Sequence, residues 1–143
     1  MDTRDKLINR ALGIDFGLRR IGLSMGDTES RLACPFDCLE GLSDRDAAMA
    51  ISRVVSDEQI DIIICGVPLN ADGSSGPQAK RTLEFITILQ GVTHKQVLQA
   101  NEFLTTYEAE SLLAGSFTSG QKKRRVDAIA AARILQGYFD SLG

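Results

Sequence analysis

Membrane-length hydrophobic stretches are absent from the sequence. The longest apolar run, Ile60 to Val67, is broken by Asp61 and falls far short of the ~20 residues a spanning helix needs. The N-terminal segment, Met1 to Arg10, alternates charged with single apolar residues and lacks the continuous apolar stretch of a secretory signal. A cytoplasmic protein with no membrane partner is expected. Cysteine is sparse: Cys34, Cys38 and Cys65 form an odd set whose spacing suits neither a zinc knuckle nor a redox pair. All three are expected as small reduced hydrophobes. Positive charge is not in excess either. With 16 basic and 19 acidic residues the net charge is -3, so any contact with nucleic acid must come from local clusters. No internal repeat or linker divides the 143 residues, a length close to the ~150-residue prior for one domain, and a single domain over 1–143 is expected. Hydrophobic residues at 43% and charged ones at 24% exclude disorder and coiled coil.

What is present is a sequence of short patterned segments. Ala11–Gly17, Ile21–Gly26 and Arg31–Leu39 are apolar runs at short spacing and predict a three-stranded antiparallel meander. Ser43 opens a helical pattern in which Ala47, Ile51, Val54 and Val55 share a face, predicting a helix over 44–57. Ile60 to Cys65 is short and almost wholly apolar, as a central parallel strand buried on both faces would be. Pro77 stands at the first position of a second helix whose inner face carries Ala79, Leu83, Ile86 and Leu89 or Gln90. Lys95 to Ala100 reads as a further strand. Thr105 and Glu108 fit a capping box, so a helix to about Leu113 should follow. Gly115 to Arg125 is polar and ends basic, predicting a mobile loop, and Val126 to Tyr138 predicts the last helix. This order combines a meander with βα units, giving an α/β, ribonuclease H-like mixed five-stranded sheet flanked by helices.

Three acids carry candidate chemistry. Asp15 interrupts an apolar strand, where a carboxylate is usually paired or ligates a metal; a turn-initiating Asp before Gly17 is the equal alternative. Asp127 shares a helical face with Ala131, Ile134, Leu135 and Tyr138. Placed in the first turn it would also favour the helix dipole, but its inward face points to function. The alanines at 128 and 130–132 would let this helix approach the first strand closely. Glu102 ends a strand and alternates with Leu98 and Ala100; alone, it would read as an exposed strand-end residue. Together the three meet the oxygen-donor requirement of Mg2+ or Mn2+, which can clamp a phosphodiester during in-line displacement. Gly73 to Gln78 offers backbone amides and the hydroxyls of Ser74 and Ser75 at a helix start, which is either an anion site or an ordinary capped turn. Lys122, Lys123, Arg124 and Arg125 form a basic run next to Asp127 that could contact phosphates, with Lys80 and Arg81 as a possible extension. Phe103 and Tyr107 could stack on bases. His94, in a turn, has no assigned role. Asp15-Phe16-Gly17 mimics the kinase magnesium motif, but the chain is too short for a kinase and lacks its His-Arg-Asp loop.

The segments Gly13-Ile-Asp-Phe-Gly-Leu-Arg-Arg-Ile-Gly22, Gly66-Val-Pro-Leu-Asn70 with Asp72-Gly-Ser-Ser-Gly-Pro-Gln-Ala79, Glu102 with Leu104-Thr-Thr106, and Val126-Asp-Ala-Ile-Ala-Ala131 resemble, in order, the motifs of the YqgF (RuvX-like) family. The resemblance covers nearly the whole chain. It implies a ribonuclease H-like fold and a bacterial nuclease, either a Holliday junction resolvase homologue or a processor of the 5' end of precursor 16S rRNA. It also implies that Asp15, Glu102 and Asp127 are the catalytic and metal-binding acids. Arg19, Asn70, Ser74, Ser75, Gln78 and Lys122–Arg125 are then expected to position the nucleic acid. The family usually has Asp-Glu-Arg where this chain has Asn101-Glu102-Phe103. An Asn brings no charge and a Phe cannot replace an Arg. The alternative expectation is therefore a nucleic-acid or ribosome-precursor binding protein that has kept the fold and lost efficient cleavage. Either a monomer or a homodimer is compatible with the sequence, and resolving a junction symmetrically would call for the dimer.

Overall fold

Side chains alternate between the two faces of a strand, and along β1 (Arg10–Phe16) that alternation sorts the molecule into layers. Leu12, Ile14 and Phe16 enter one core, whereas Ala11 enters a second core on the opposite face. The computed structural model describes residues 8–70, 72–101 and 119–143. Within them β1 is followed by β2 (Arg20–Asp27), β3 (Cys34–Glu40), α1 (Asp44–Asp57), β4 (Ile62–Val67), α2 (Pro77–Thr93), β5 (Val97–Asn101) and α3 (Ser119–Asp140). The expected helix and capping box at Thr105–Leu113, with Glu102, Phe103 and Tyr107, lie outside the described residues.

The five strands form one sheet in the order β3-β2-β1-β4-β5. The meander is antiparallel, and β4 and β5 add to β1 in parallel. This is the expected ribonuclease H-like arrangement, with β1 at its centre. β4 is buried on both faces as a central parallel strand should be: Ile63, Cys65 and Val67 face the α1/α2 core and Ile64 faces α3.

Two helices start where local chemistry says they should. The Ser43 hydroxyl accepts the Asp46 amide at 3.1 Å, capping α1, and Ala47, Ala48, Ile51 and Val55 are its buried residues. Pro77 stands at the start of α2, behind a Gly76 cap with no side-chain bond. Its inner face is Ala79, Thr82, Phe85, Ile86 and Leu89, so Thr82 and Phe85 join the expected stripe. His94 closes α2 in the left-handed region at φ 57°.

The last helix departs from expectation. It begins at Ser119 rather than Val126, so the described part of the polar 115–125 segment is helical rather than looped. Gln, Lys and Arg are good helix formers, and here they show no apolar stripe because these first turns project beyond the cores. Asp127 therefore sits about two turns inside α3, and the first-turn dipole argument for it does not apply. Cys34 also departs: it is exposed, whereas Cys38 and Cys65 are buried, and none of the three is in a disulfide.

Candidate active site

The approach of α3 to the sheet depends on missing side chains. A Cβ on Gly22 would fall on the Asp127 carbonyl, and one on Gly13 would meet Leu135 Cβ at 2.8 Å and the Ala131 carbonyl at 2.9 Å. Ser24, buried between them, donates to the same Ala131 carbonyl at 2.8 Å. Gly13 and Asp15 alternate onto the α3 face of β1, and Asp15 is paired in register with Gly22. Asp15 and Asp127 are thus delivered to one face of the sheet, on either side of Gly22. Both are half-buried.

Asp127 is held by two groups that sequence reasoning did not assign to the site. Arg20 Nε donates to Asp127 Oδ2 at 2.6 Å, with the two side chains 26% and 19% exposed. This hydrogen bond, reinforced by the opposite charge, raises the guanidinium pKa further above its ordinary value. Cys38 Sγ lies 3.9 Å from the same oxygen. Burial first, and then the charge of Asp127, push the Cys38 thiol up to about 11, so it stays protonated at neutral pH. The partners are 107 and 89 residues apart in sequence, a separation that no local pattern encodes.

The expected basic run divides by role. Arg124 Nη2 donates to the Cys38 carbonyl at 3.0 Å, and its guanidinium stands 3.7 Å from both Asp37 and Glu40. It therefore fastens the start of α3 to β3. Lys122 is half-buried, whereas Lys123 and Arg125 are exposed. Arg81 does not extend this patch. Its Nη2 donates to Asp44 Oδ1 at 2.8 Å, its Nη1 lies 2.7 Å from Oδ2, and its guanidinium lies over the Phe16 ring at 5.2 Å. That set of contacts ties α2 to α1 and β1.

The segment before α2 is a folded turn. Asn70 Nδ2 donates to Ser74 Oγ at 3.0 Å, and Ser74 Oγ donates to Asp72 Oδ1 at 2.6 Å. The hydroxyl of Ser74 is thus engaged within the loop, and these bonds hold the Asp72 carboxyl below its ordinary value. Ser75 and Gln78 are exposed beside the α2 start, and Arg19 is exposed in the β1–β2 turn.

Hard divalent cations take oxygen donors, and Asp15 and Asp127 supply them; the guanidinium at Asp127 shows positive charge already drawn to that carboxylate. Among the described residues no cluster of three His, Cys, Asp or Glu side chains is assembled, and Glu102 lies outside them. Its neighbour Asn101 ends β5, paired in register with Val67 at the carboxyl end of β4. This is the edge toward which β1 also runs, because β1 and β4 are parallel.

Comparison with known proteins bears on this geometry. The sequence profile of the family described as RuvX, Holliday junction resolvase, matches residues 9–141. A candidate pre-16S rRNA nuclease of Endomicrobium trichonymphae is 35% identical, the alignment covering 93% of this chain and 96% of that protein. A relative of the same name from Clostridium tetani is 33% identical over 93% of this chain and 97% of its own. Among solved structures, T. thermophilus RuvC in complex with a Holliday junction substrate superposes with a TM-score of 0.57 at 13% identity, covering 93% of this chain and 95% of that one. The Fowlpox virus resolvase in complex with junction DNA gives 0.57 at 10% identity over 93% and 98%. At these identities the structural likeness speaks for the fold alone.

Proposed function

The chain belongs to the RuvX family of Holliday junction resolvases, and from that premise we propose that it is a metal-dependent nuclease hydrolysing phosphodiester bonds of structured nucleic acid. The names of the curated relatives favour precursor 16S rRNA as substrate, with a four-way DNA junction as the other reading. The observation that carries the reading is the convergence of Asp15 and Asp127 on one face of the central strands, across a glycine whose absent Cβ admits α3.

In this reading the whole chain, 1–143, works as one nuclease domain, and Asp15, Asp127 and Glu102 hold Mg2+ or Mn2+. Such an ion, when bound, neutralises charge on the phosphate and lowers the pKa of a water. The remaining work belongs to the chain. Arg20 fixes the rotamer of Asp127 and balances its charge before substrate arrives. Lys122, Lys123 and Arg125 attract the phosphate backbone, and Arg124 keeps the turn that bears them against β3. Arg19, Asn70, Ser74, Ser75 and Gln78 line the approach on the α2 side. No helix among the described residues is long and apolar enough to cross a membrane, and the proposed place of action is the cytoplasm, as a monomer or a homodimer.

The test is cleavage of a 5'-extended precursor rRNA fragment and of a four-way DNA junction, each with Mg2+, with Mn2+ and with chelator. Metal-dependent cutting of either that is abolished by Asp127→Asn supports the reading. Substrate binding by the parent with no cutting under any metal condition selects the non-cleaving binder.

A further inference from the structure

The register of β1, β2 and β3 aligns one row of residues beneath α3. Asp15 is opposite Gly22 and Gly22 is opposite Cys38; two residues along, on the same face, Arg20 is opposite Glu40. Arg20 therefore stands between two carboxylates, Asp127 on α3 and Glu40 on β3. It is bonded to the first, Nε to Oδ2 at 2.6 Å. That bond is the largest influence raising the guanidinium pKa, and the negative charge of Glu40 acts in the same direction. Glu40 itself is held loosely. Its contact with Arg124 Nη1 is 3.7 Å and its side chain is 46% exposed, a distance longer than a hydrogen bond. Arg124 makes its shorter bond elsewhere, to the Cys38 carbonyl at 3.0 Å.

We propose that Glu40 is a positioning residue of the metal site, which takes the Arg20 guanidinium when a divalent cation engages Asp127. The proposal rests on Asp127 being a metal ligand. A carboxylate that keeps Arg20 serves a divalent cation poorly, because the guanidinium stays beside the ion as a like charge. Displaced without a new partner, that guanidinium would be left unpaired in a part-buried place, which is costly. Opposite charges directly across an antiparallel pair lie within reach of each other, and Glu40 is the cross-strand partner of Arg20. A turn of the Arg20 side chain completes the transfer without moving the backbone. Arg20 is thus a counter-ion shared by two acids: it neutralises Asp127 in the metal-free protein and Glu40 in the loaded one.

Mn2+ affinity is measured by calorimetry in about 0.15 M salt, which screens more distant charges, for the parent, Glu40→Gln, Arg20→Gln, the double variant, Arg124→Gln and Asp127→Asn. The Arg20 Nε–H resonance is followed by NMR during titration with Mg2+, and circular dichroism verifies that each variant folds. Glu40→Gln should weaken Mn2+ binding roughly three- to five-fold, the effect of one partly exposed charge partner, whereas Arg20→Gln should tighten it. In the Arg20→Gln background, Glu40→Gln should change affinity by less than about 1.5-fold, since no guanidinium is left to move. Saturating Mg2+ should shift the Arg20 resonance in the parent, and to a different end point in Glu40→Gln. An equal loss of affinity from Glu40→Gln in both backgrounds would overturn the proposal, because the effect would then not pass through Arg20. So would unaltered affinity in Glu40→Gln, or an Arg20 resonance that stays in place at saturation. A loss in Arg124→Gln as large as that in Glu40→Gln would also overturn it, since the anchoring of α3 would be responsible. Binding that is lost in Asp127→Asn yet indifferent to Glu40 removes this proposal alone. Binding unchanged in Asp127→Asn removes the metal-ligand reading together with it. A parent that transfers Arg20 but never cuts nucleic acid removes the nuclease reading alone.

Discussion

Arg20 and Cys38 converge on a single oxygen of Asp127, and their effects on it differ. The ion pair is neither fully buried nor open to solvent, so its loss should cost between the exposed and buried limits for such pairs. Arg20→Gln is predicted to lower metal-free stability by about 1–2 kcal/mol, read from urea unfolding. It should also enlarge the rise in Tm that Mg2+ produces, because a competing positive charge has gone and ligand binding to the native state stabilises it. Equal stability and an equal Mg2+ response would show that the pair is incidental. Cys38 contributes through its proton. Its folded pKa of about 11 lies above the ordinary 9.0, so its contribution is complete below pH 9.0 and is lost as pH rises toward 11. A Cys38→Ala variant should lack that part of the alkaline decline in Tm. At pH 8, iodoacetamide should label the exposed Cys34 first and leave Cys38 and Cys65 until the protein unfolds; mass spectrometry of the labelled peptides checks the order. At this scale the placement of Asp15 and Asp127 on one face was legible, because an Asp inside Leu12-Gly-Ile-Asp-Phe16 and another on an alanine-rich helical face stand out from their neighbours. Arg20 was present in the first motif as a plain basic residue. Its role depends on a partner more than a hundred positions away, which one sequence does not reveal.

Elements meet here through glycine, and the two kinds of glycine predict opposite outcomes. Gly22 has no space for a Cβ, because the Asp127 peptide occupies it. Gly22→Ala should therefore push α3 off the sheet, destabilise by roughly 2–3 kcal/mol as an overpacked contact, and displace the carboxylate it supports. Gly137, within α3, has nothing within 4 Å of the same position. Gly137→Ala should stabilise by up to about 1 kcal/mol through helix propensity. Thermal melts of the two variants, expected to move in opposite directions, measure how far the packing of α3 relies on that approach. The boundaries of α1 were legible because a capping serine and an apolar stripe coincide at Ser43–Val55. The beginning of α3 was not, because Gln121 to Arg125 bury little and their helix is secured by Arg124 against Asp37, Glu40 and the Cys38 carbonyl. Arg124→Ala should leave the helix after Val126 intact while hastening amide exchange in the turns before it.

At the scale of the molecule, the described residues form two apolar layers that enclose a sheet whose centre carries a half-buried acid. The layer order was legible because period-2 and helical patterns alternate cleanly from Ala11 to Leu89. The β-bulge in β3, where Leu23 is opposite Asp37 but Ser24 is opposite Pro35 so that Phe36 is the extra residue, was not, since a single extra residue leaves no periodic signal. A net charge of -3 is unfavourable for binding nucleic acid as a whole, so affinity is predicted to depend on the local basic turn and to fall steeply with salt. The central claim is that Asp15 and Asp127 act in metal-dependent phosphodiester cleavage rather than in folding. The most direct measurement compares the parent with Asp15→Asn and Asp127→Asn for cleavage of 5'-extended precursor rRNA and of a four-way DNA junction, with Mg2+ and with chelator, alongside binding in chelator. The account predicts Mg2+-dependent cutting of at least one substrate by the parent, cutting reduced at least about a hundredfold in each variant, and binding in chelator that the variants retain. Cutting by either variant at the parent's rate, or parent cutting undiminished by chelator, would contradict it.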